Sequence, residues 1–172
     1  VTKLQPVGQE ADREIAISDI IKKIDNFRLY FAPVMSWCKI DVRNISEPVL
    51  RDCDIIDSST TDCYLMRIPY VDKHNFFNFL TQNSDKKFAV STLLETMKYL
   101  LSSIHKLISN KVVHFDLKGE NIVYIRSLYI PVIIDFGISM NINEICIFDI
   151  SSRFVLFNIV GRLTGISRAT LG

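Results

Sequence analysis

The chain has 172 residues, 48% of them hydrophobic and 23% charged, enough for one domain with a real core or for two small lobes. Twenty Lys and Arg against 19 Asp and Glu leave a net charge of +1, so the charge balance calls for no nucleic acid or other polyanion as partner. Cys38, Cys53, Cys63 and Cys146 form no CxxC pair or metal-ligand cluster, and they read as buried free thiols of a reducing compartment rather than a disulfide framework.

Position 1 is Val and charges run through residues 1–30, so no signal peptide is expected and the chain is expected to begin inside a longer protein. The nearest approach to a membrane span, "ICIFDISSRFVLFNIV" at 145–160, is broken by Asp149 and Arg153 and is shorter than the about 20 residues a span needs. The expectation is a soluble, cytoplasmic protein with no membrane partner.

"VTKL" at the start has the pattern of a strand end, broken by "PVGQ". From Glu10 to Ile24, apolar residues at 11, 15, 17, 20, 21 and 24 predict a helix with acidic residues in its first turn. "FRLYFAPVMSWCKI" and "DCYLMRIPYV" predict strands, separated by a polar loop with Pro48 and "DSSTTD". "NFFNFL" predicts a short helix, in which Phe76, Phe77 and Phe79 read as core rather than as platforms for bases. Residues 90–108 carry Val90, Leu93, Leu94, Met97, Leu100, Leu101, Ile104, Leu107 and Ile108 on one helical face, with His105, like His74, on the solvated side. Short β-branched runs follow in "KVVHFD", "NIVYI" and "YIPVIIDFG". Strands and one helix before a mainly helical part predict an α+β protein in two lobes, joined near 69–72.

The densest chemistry lies in "VVHFDLKGENIVY" at 112–124. A loop pinned between two buried strands can bring a carboxylate, an ammonium and an amide to one point. Phosphoryl transfer needs a carboxylate for the attacking hydroxyl, a cation for the transferred charge, and oxygen ligands for Mg²⁺. Asp116, Lys118, and the pair Asn121 with Asp135 offer those groups in that order. Asp and Asn are also ordinary turn formers and caps, and it is their joint spacing that favours chemistry.

"HFDLKGEN" resembles the catalytic loop H-R-D-L-K-x-x-N of the eukaryotic-type protein kinases, matching at His114, Asp116, Leu117, Lys118 and Asn121, and "DFG" at 135–137 resembles their metal-binding motif. The resemblance implies a two-lobed kinase-like fold, incomplete in this chain: a partial small lobe over 1–71, the first part of the large lobe over 72–140, and an unassigned tail over 141–172. It implies ATP and Mg²⁺ as cofactors, a protein substrate, and Ser/Thr acceptors from the Lys at 118. Lys3 would grip the α- and β-phosphates, paired with Glu14 or Glu10. Ile68 would be the gatekeeper, Pro69, Tyr70 and Val71 the hinge, and Val123 the floor beneath adenine. His114 would pack and bond backbone rather than react. For Lys3 and Glu14 a plain exposed strand end and a solvated helix face are the alternatives.

The sequence departs from the family in three places. No Gly-rich loop precedes Lys3 in this chain, position 115 is Phe where the family usually has the Arg that answers a phosphorylated loop, and no A-P-E follows Met140. Two other functions are therefore carried alongside: a pseudokinase or truncated binding module, and a small-molecule phosphotransferase of the aminoglycoside or choline type. The Lys at 118 and the DFG favour a protein substrate over the latter.

Overall fold

The computed structural model describes residues 1–44, 62–72, 86–125, 128 and 130–144. The polar loop around Pro48, the helix expected at "NFFNFL" with His74, Phe76, Phe77 and Phe79, the cysteines Cys53 and Cys146, and the tail from residue 145 lie outside the described residues.

Strands β1 (Thr2–Pro6), β2 (Ser36–Asp41) and β3 (Asp62–Arg67) form an antiparallel sheet in the order β1-β3-β2. β1 continues through Pro6, past the break expected at "PVGQ", because an edge strand tolerates a residue with no N–H to donate. The register sets Lys3 opposite Met66, and Met66 is fully buried against Ala11, Ile15 and Val34. Side chains of paired residues share a face, so Lys3 points the same way as Met66, toward the helix that carries Ala11 and Ile15.

That helix, α1 (Gln9–Ile21), starts with Glu10 and Asp12 in its first turn, where the helix dipole favours carboxylates. Its buried residues include Ala11, Glu14, Ile15 and Ser18, spaced as one helical face, with Ile17 and Ile21 turned to a second core. The helix ends three residues before Ile24, which stays buried without it.

The stretch 27–40 is not one strand. Asn26 takes a left-handed φ of 56°, Phe27–Leu29 forms a 3-10 turn, and Pro33 has no N–H for a ladder, so the strand starts only at Ser36. β3 likewise stops at Arg67; Ile68 still exchanges two backbone bonds of 2.8 Å with Val1, and Pro69–Val71 leaves the sheet. Cys63 is buried, but Cys38 is exposed, against expectation, because its pairing with Leu65 places it on the sheet face away from α1.

Helix α2 (Lys86–Ser109) contains the expected 90–108. Its buried side is Thr96, Leu100, Ser103 and Leu107, narrower than the apolar stripe read from sequence. Val90, Leu94, Met97, Leu101 and Ile108 are between 46% and 66% exposed, and His105 is exposed as expected. No described helix is long and apolar enough to cross a membrane.

After α2 come β4 (Val112–Val113), β5 (Ile122–Ile125), β6 (Ile130–Ile133) and β7 (Met140–Asn141), with β5 paired to β6 and β4 to β7, all antiparallel. The segment before β2 reaches down to this part: Ala32 N–H donates to the Ile133 carbonyl at 3.0 Å and Ile133 N–H to the Tyr30 carbonyl at 2.9 Å. One continuous core follows, in which Ile17, Ile21 and Ile24 meet Phe31, Leu100, Leu107, Val112, Ile122, Ile133 and Phe136. The expected α+β arrangement is present, with the sheet and α1 seated on α2 and the short ladders.

Candidate active site

The loop between β4 and β5 is organised by His114. Burial pushes its imidazole below the ordinary histidine range, outweighing the carbonyl of Ile134 and the nearby carboxylates, so the ring is neutral at pH 7. A neutral ring has one donor and one acceptor. Nε2 faces the Ile134 carbonyl at 3.0 Å and takes the donor role, leaving Nδ1 to accept the Asp116 N–H at 3.3 Å. His114 thus ties the loop to the residue before Asp135, and its expected packing role holds. The Ser139 hydroxyl adds a bond to the His114 carbonyl at 3.3 Å, a contact the sequence did not signal.

Between His114 and Asp116, Phe115 holds a left-handed φ of 62°, which for a bulky residue costs about 1 kcal/mol. The turn aims Asp116 back across the loop. One oxygen of its carboxylate accepts from Lys118 Nζ at 2.8 Å and from Asn121 Nδ2 at 3.1 Å, and Nδ2 also donates to the Asp116 carbonyl at 2.9 Å. Asn121 is buried, and its own carbonyl accepts the Ile134 N–H at 3.0 Å. That bond extends the β5–β6 ladder by one pair beyond Ile122 and Ile133, so the ladder itself sets Asn121 beside the approach to Asp135.

Asp135 has a φ of 62°, a conformation Asp tolerates better than most residues, and its Oδ1 lies 3.4 Å from the Gly137 N–H. Phe136 is 1% exposed, edge-on to His114 and to Phe31 with centroids 5.0 and 6.2 Å away. A Cβ on Gly137 would meet Asp135 Oδ1 at 3.4 Å and the Glu10 and Glu14 carboxylates at 3.7 Å each.

Across the cleft, Lys3 Nζ bonds Glu14 Oε2 at 2.6 Å, with the Glu14 side chain 3% exposed. The sequence left Glu10 and Glu14 open as partners, and the structure selects Glu14. A carboxylate this buried requires its cation. Glu10, one turn earlier and exposed, shares with Glu14 the approach to Gly137.

Two cavities share this wall. One, of about 490 Å³, is lined by Lys3, Glu14, Ile68, Pro69, Tyr70, Val71, Val123, Ile134 and Asp135. It gathers every residue expected to contact the nucleotide, and Val1, Thr2, Asp72 and Ile134 line it as well. The other, of about 550 Å³, is lined by Lys3, Glu10, Asp116, Asp135 and Gly137 among others. Lys3 and Asp135 belong to both, so the two spaces meet between an ammonium and a carboxylate. Lys118 and Asn121 line neither cavity and reach the site through Asp116.

The described residues contain no cluster of three or more His, Cys, Asp or Glu side chains able to hold a metal ion. Asp135 and the amide oxygen of Asn121, whose nitrogen is committed to Asp116, make a small hard-oxygen set. Such a set fits Mg²⁺, which keeps most of its shell from phosphate and water and takes one or two protein ligands.

Comparison with known proteins agrees with the motif. The family model described as "protein kinase domain" matches residues 41–154. No curated protein matches the chain significantly in sequence. Among solved structures, 406 chains match, and one is the kinase PK-1 of the Cydia pomonella granulovirus, with a TM-score of 0.55 and 16% identity over 81% of this chain. The match spans 42% of that kinase's chain.

Proposed function

The chain belongs to the protein kinase domain family, and from that membership we propose that it binds Mg·ATP in the cleft between the sheet and the α2 half and transfers the γ-phosphate to Ser or Thr hydroxyls of proteins. The observation that carries the reading is the shared wall of the two cavities, where the Lys3–Glu14 pair and Asp135 stand on the nucleotide side and Asp116 opens on the other.

The roles follow from position. Ile68 and Val123 present apolar surface to the base, and the backbone of Pro69, Tyr70 and Val71 offers hydrogen bonds, Pro69 through its carbonyl alone. Lys3, held by Glu14, binds the α- and β-phosphates. Asp135 and Asn121 would hold Mg²⁺ through their side-chain oxygens, and the ion would supply positive charge against that of the phosphates. Asp116 accepts the proton of the attacking hydroxyl as its oxygen bonds phosphorus and ADP leaves. Lys118, 2.8 Å from Asp116, brings positive charge to the transferred group.

The test is a pair of variants. Asp135→Asn should abolish the Mg-dependent rise in melting temperature with ATP, a rise that reflects RT ln(1 + [L]/Kd). Asp116→Asn should keep that rise and lose label transfer from γ-labelled ATP to a peptide mixture offering Ser, Thr and Tyr. Loss of both in Asp116→Asn would overturn the assignment. Nucleotide binding with no transfer by the parent chain would leave a binding module, and transfer to choline or an aminoglycoside instead would move it to the small-molecule class.

A further inference from the structure

The Lys3–Glu14 pair stands only while α1 keeps its place on the sheet, and little at the start of that helix fixes it there. The N-cap is Gly8, which has no side chain to bond the free N–H groups of the first turn. Val7 and Gly8 alone connect β1 to α1, and the Val7 N–H goes to the Asp62 carbonyl at 3.1 Å.

What holds the first turn comes from β3. Tyr64 is two residues from Met66 and so shares its face of the sheet, with its ring packed against the cluster of Ala11, Ile15, Val34 and Met66. Trp37 of β2 meets that ring edge-on, with centroids 5.0 Å apart. The Tyr64 hydroxyl donates to Asp12 Oδ1 at 2.9 Å, a bond between residues 52 apart in the chain. The bond to the carboxylate raises the phenol above its ordinary range, so the hydroxyl keeps its proton and remains the donor.

The position of Asp12 on the helix makes this bond a second strut. At about 100° per residue, Asp12 and Glu14 flank the ridge of Ala11 and Ile15, each about 80° from it on opposite sides. A roll of α1 that draws Glu14 off Lys3 must therefore also shift Asp12 against Tyr64. Neither Asp12 nor Tyr64 lines either cavity of the cleft, so the two reach the site only through α1.

We propose that Tyr64 is a positioning residue for Lys3: through Asp12 it locks the roll of α1, and thereby keeps Glu14 on the ammonium that binds the α- and β-phosphates. The nucleotide half of this rests on the role assigned to Lys3 above; the hold on Glu14 does not.

Tyr64→Phe keeps the ring, its packing and the Trp37 contact while removing the hydroxyl. In the 172-residue chain it should speed amide exchange over residues 12–16 by about fivefold, the scale of one such bond, and speed amine labelling of Lys3 by a similar factor relative to the exposed Lys98. The Kd for Mg·ATP should rise by about the same factor. Asp12→Ala should reproduce these changes, Asp12→Asn, which keeps an acceptor, should not, and Tyr64→Phe joined to Asp12→Ala should be no worse than either alone. With Lys3→Met in the background, Tyr64→Phe should leave the Kd unchanged, an outcome that a general loss of stability would not produce. Unchanged labelling of Lys3 in Tyr64→Phe would overturn the proposal, as would a loss of affinity that persists at full size in the Lys3→Met background. A parent chain that binds no Mg·ATP would overturn the nucleotide reading alone, and faster labelling of Lys3 in Tyr64→Phe would still establish the hold on Glu14.

Discussion

The two walls of the cleft are built in opposite ways. On the lower wall, Asp116, Lys118 and Asn121 sit within six residues and hold one another through bonds of 2.8 to 3.1 Å. On the upper wall, Lys3 and Glu14 come from a strand and a helix, and they meet only because the register with β3 turns Lys3 toward α1. The lower wall is local chemistry on a loop. The upper one depends on tertiary packing, so damage to the sheet or to α1 should reach it first.

Four measurements would sharpen or break that contrast, beginning with the largest effect. Asp116→Asn should lower transfer by at least about 10²-fold, the scale of losing a positioned general base, with an unchanged urea midpoint, because the change is local. Phe136→Ala should cost about 3 kcal/mol in chemical denaturation, since this ring joins His114, Phe31 and the common core. Lys3→Met should cost roughly 2 kcal/mol by leaving the Glu14 carboxylate buried without its cation, and Lys3→Met combined with Glu14→Leu should recover most of it. An additive double variant would sever the two residues from each other.

The smallest effect is a pH dependence. The folded-state pKa of His114 is held below its unfolded value, so the unfolded chain binds a proton that the folded chain refuses. Its contribution to stability is full above about pH 6.5 and is lost as pH falls from there toward the folded-state value. Urea midpoints at pH 7.5, 6.5 and 6.0 should decline, and His114→Asn should flatten that decline. A parent chain with no slope in this window would mean that folding leaves the imidazole's affinity for a proton unchanged.

How much of this was readable follows the same division. The lower wall was legible because its partners are sequence neighbours and its residue types are rare in combination: Asp116, Lys118, Asn121 and Asp135 were all named from the chain alone. Lys3 was legible only through the family resemblance, and Glu14 could not be told from Glu10, since both lie on the cleft side of α1 one turn apart and packing alone decides between them. The run 27–35 misled because its apolar residues alternate like a strand while Asn26 and Pro33 divert the backbone. α2 misled in a different way: Thr96 and Ser103 take buried places through bonds to the Thr92 and Tyr99 carbonyls, and five apolar residues are left outside.

The dip of chain between α1 and β2 has a mechanical consequence. Among the described residues the halves are stitched where Tyr30 and Ala32 bond Ile133, at the same seam where Ile21 and Phe31 share a core with Ile133. Any widening of the mouth between Lys3 and Asp116 would meet most resistance beside that seam and least far from it.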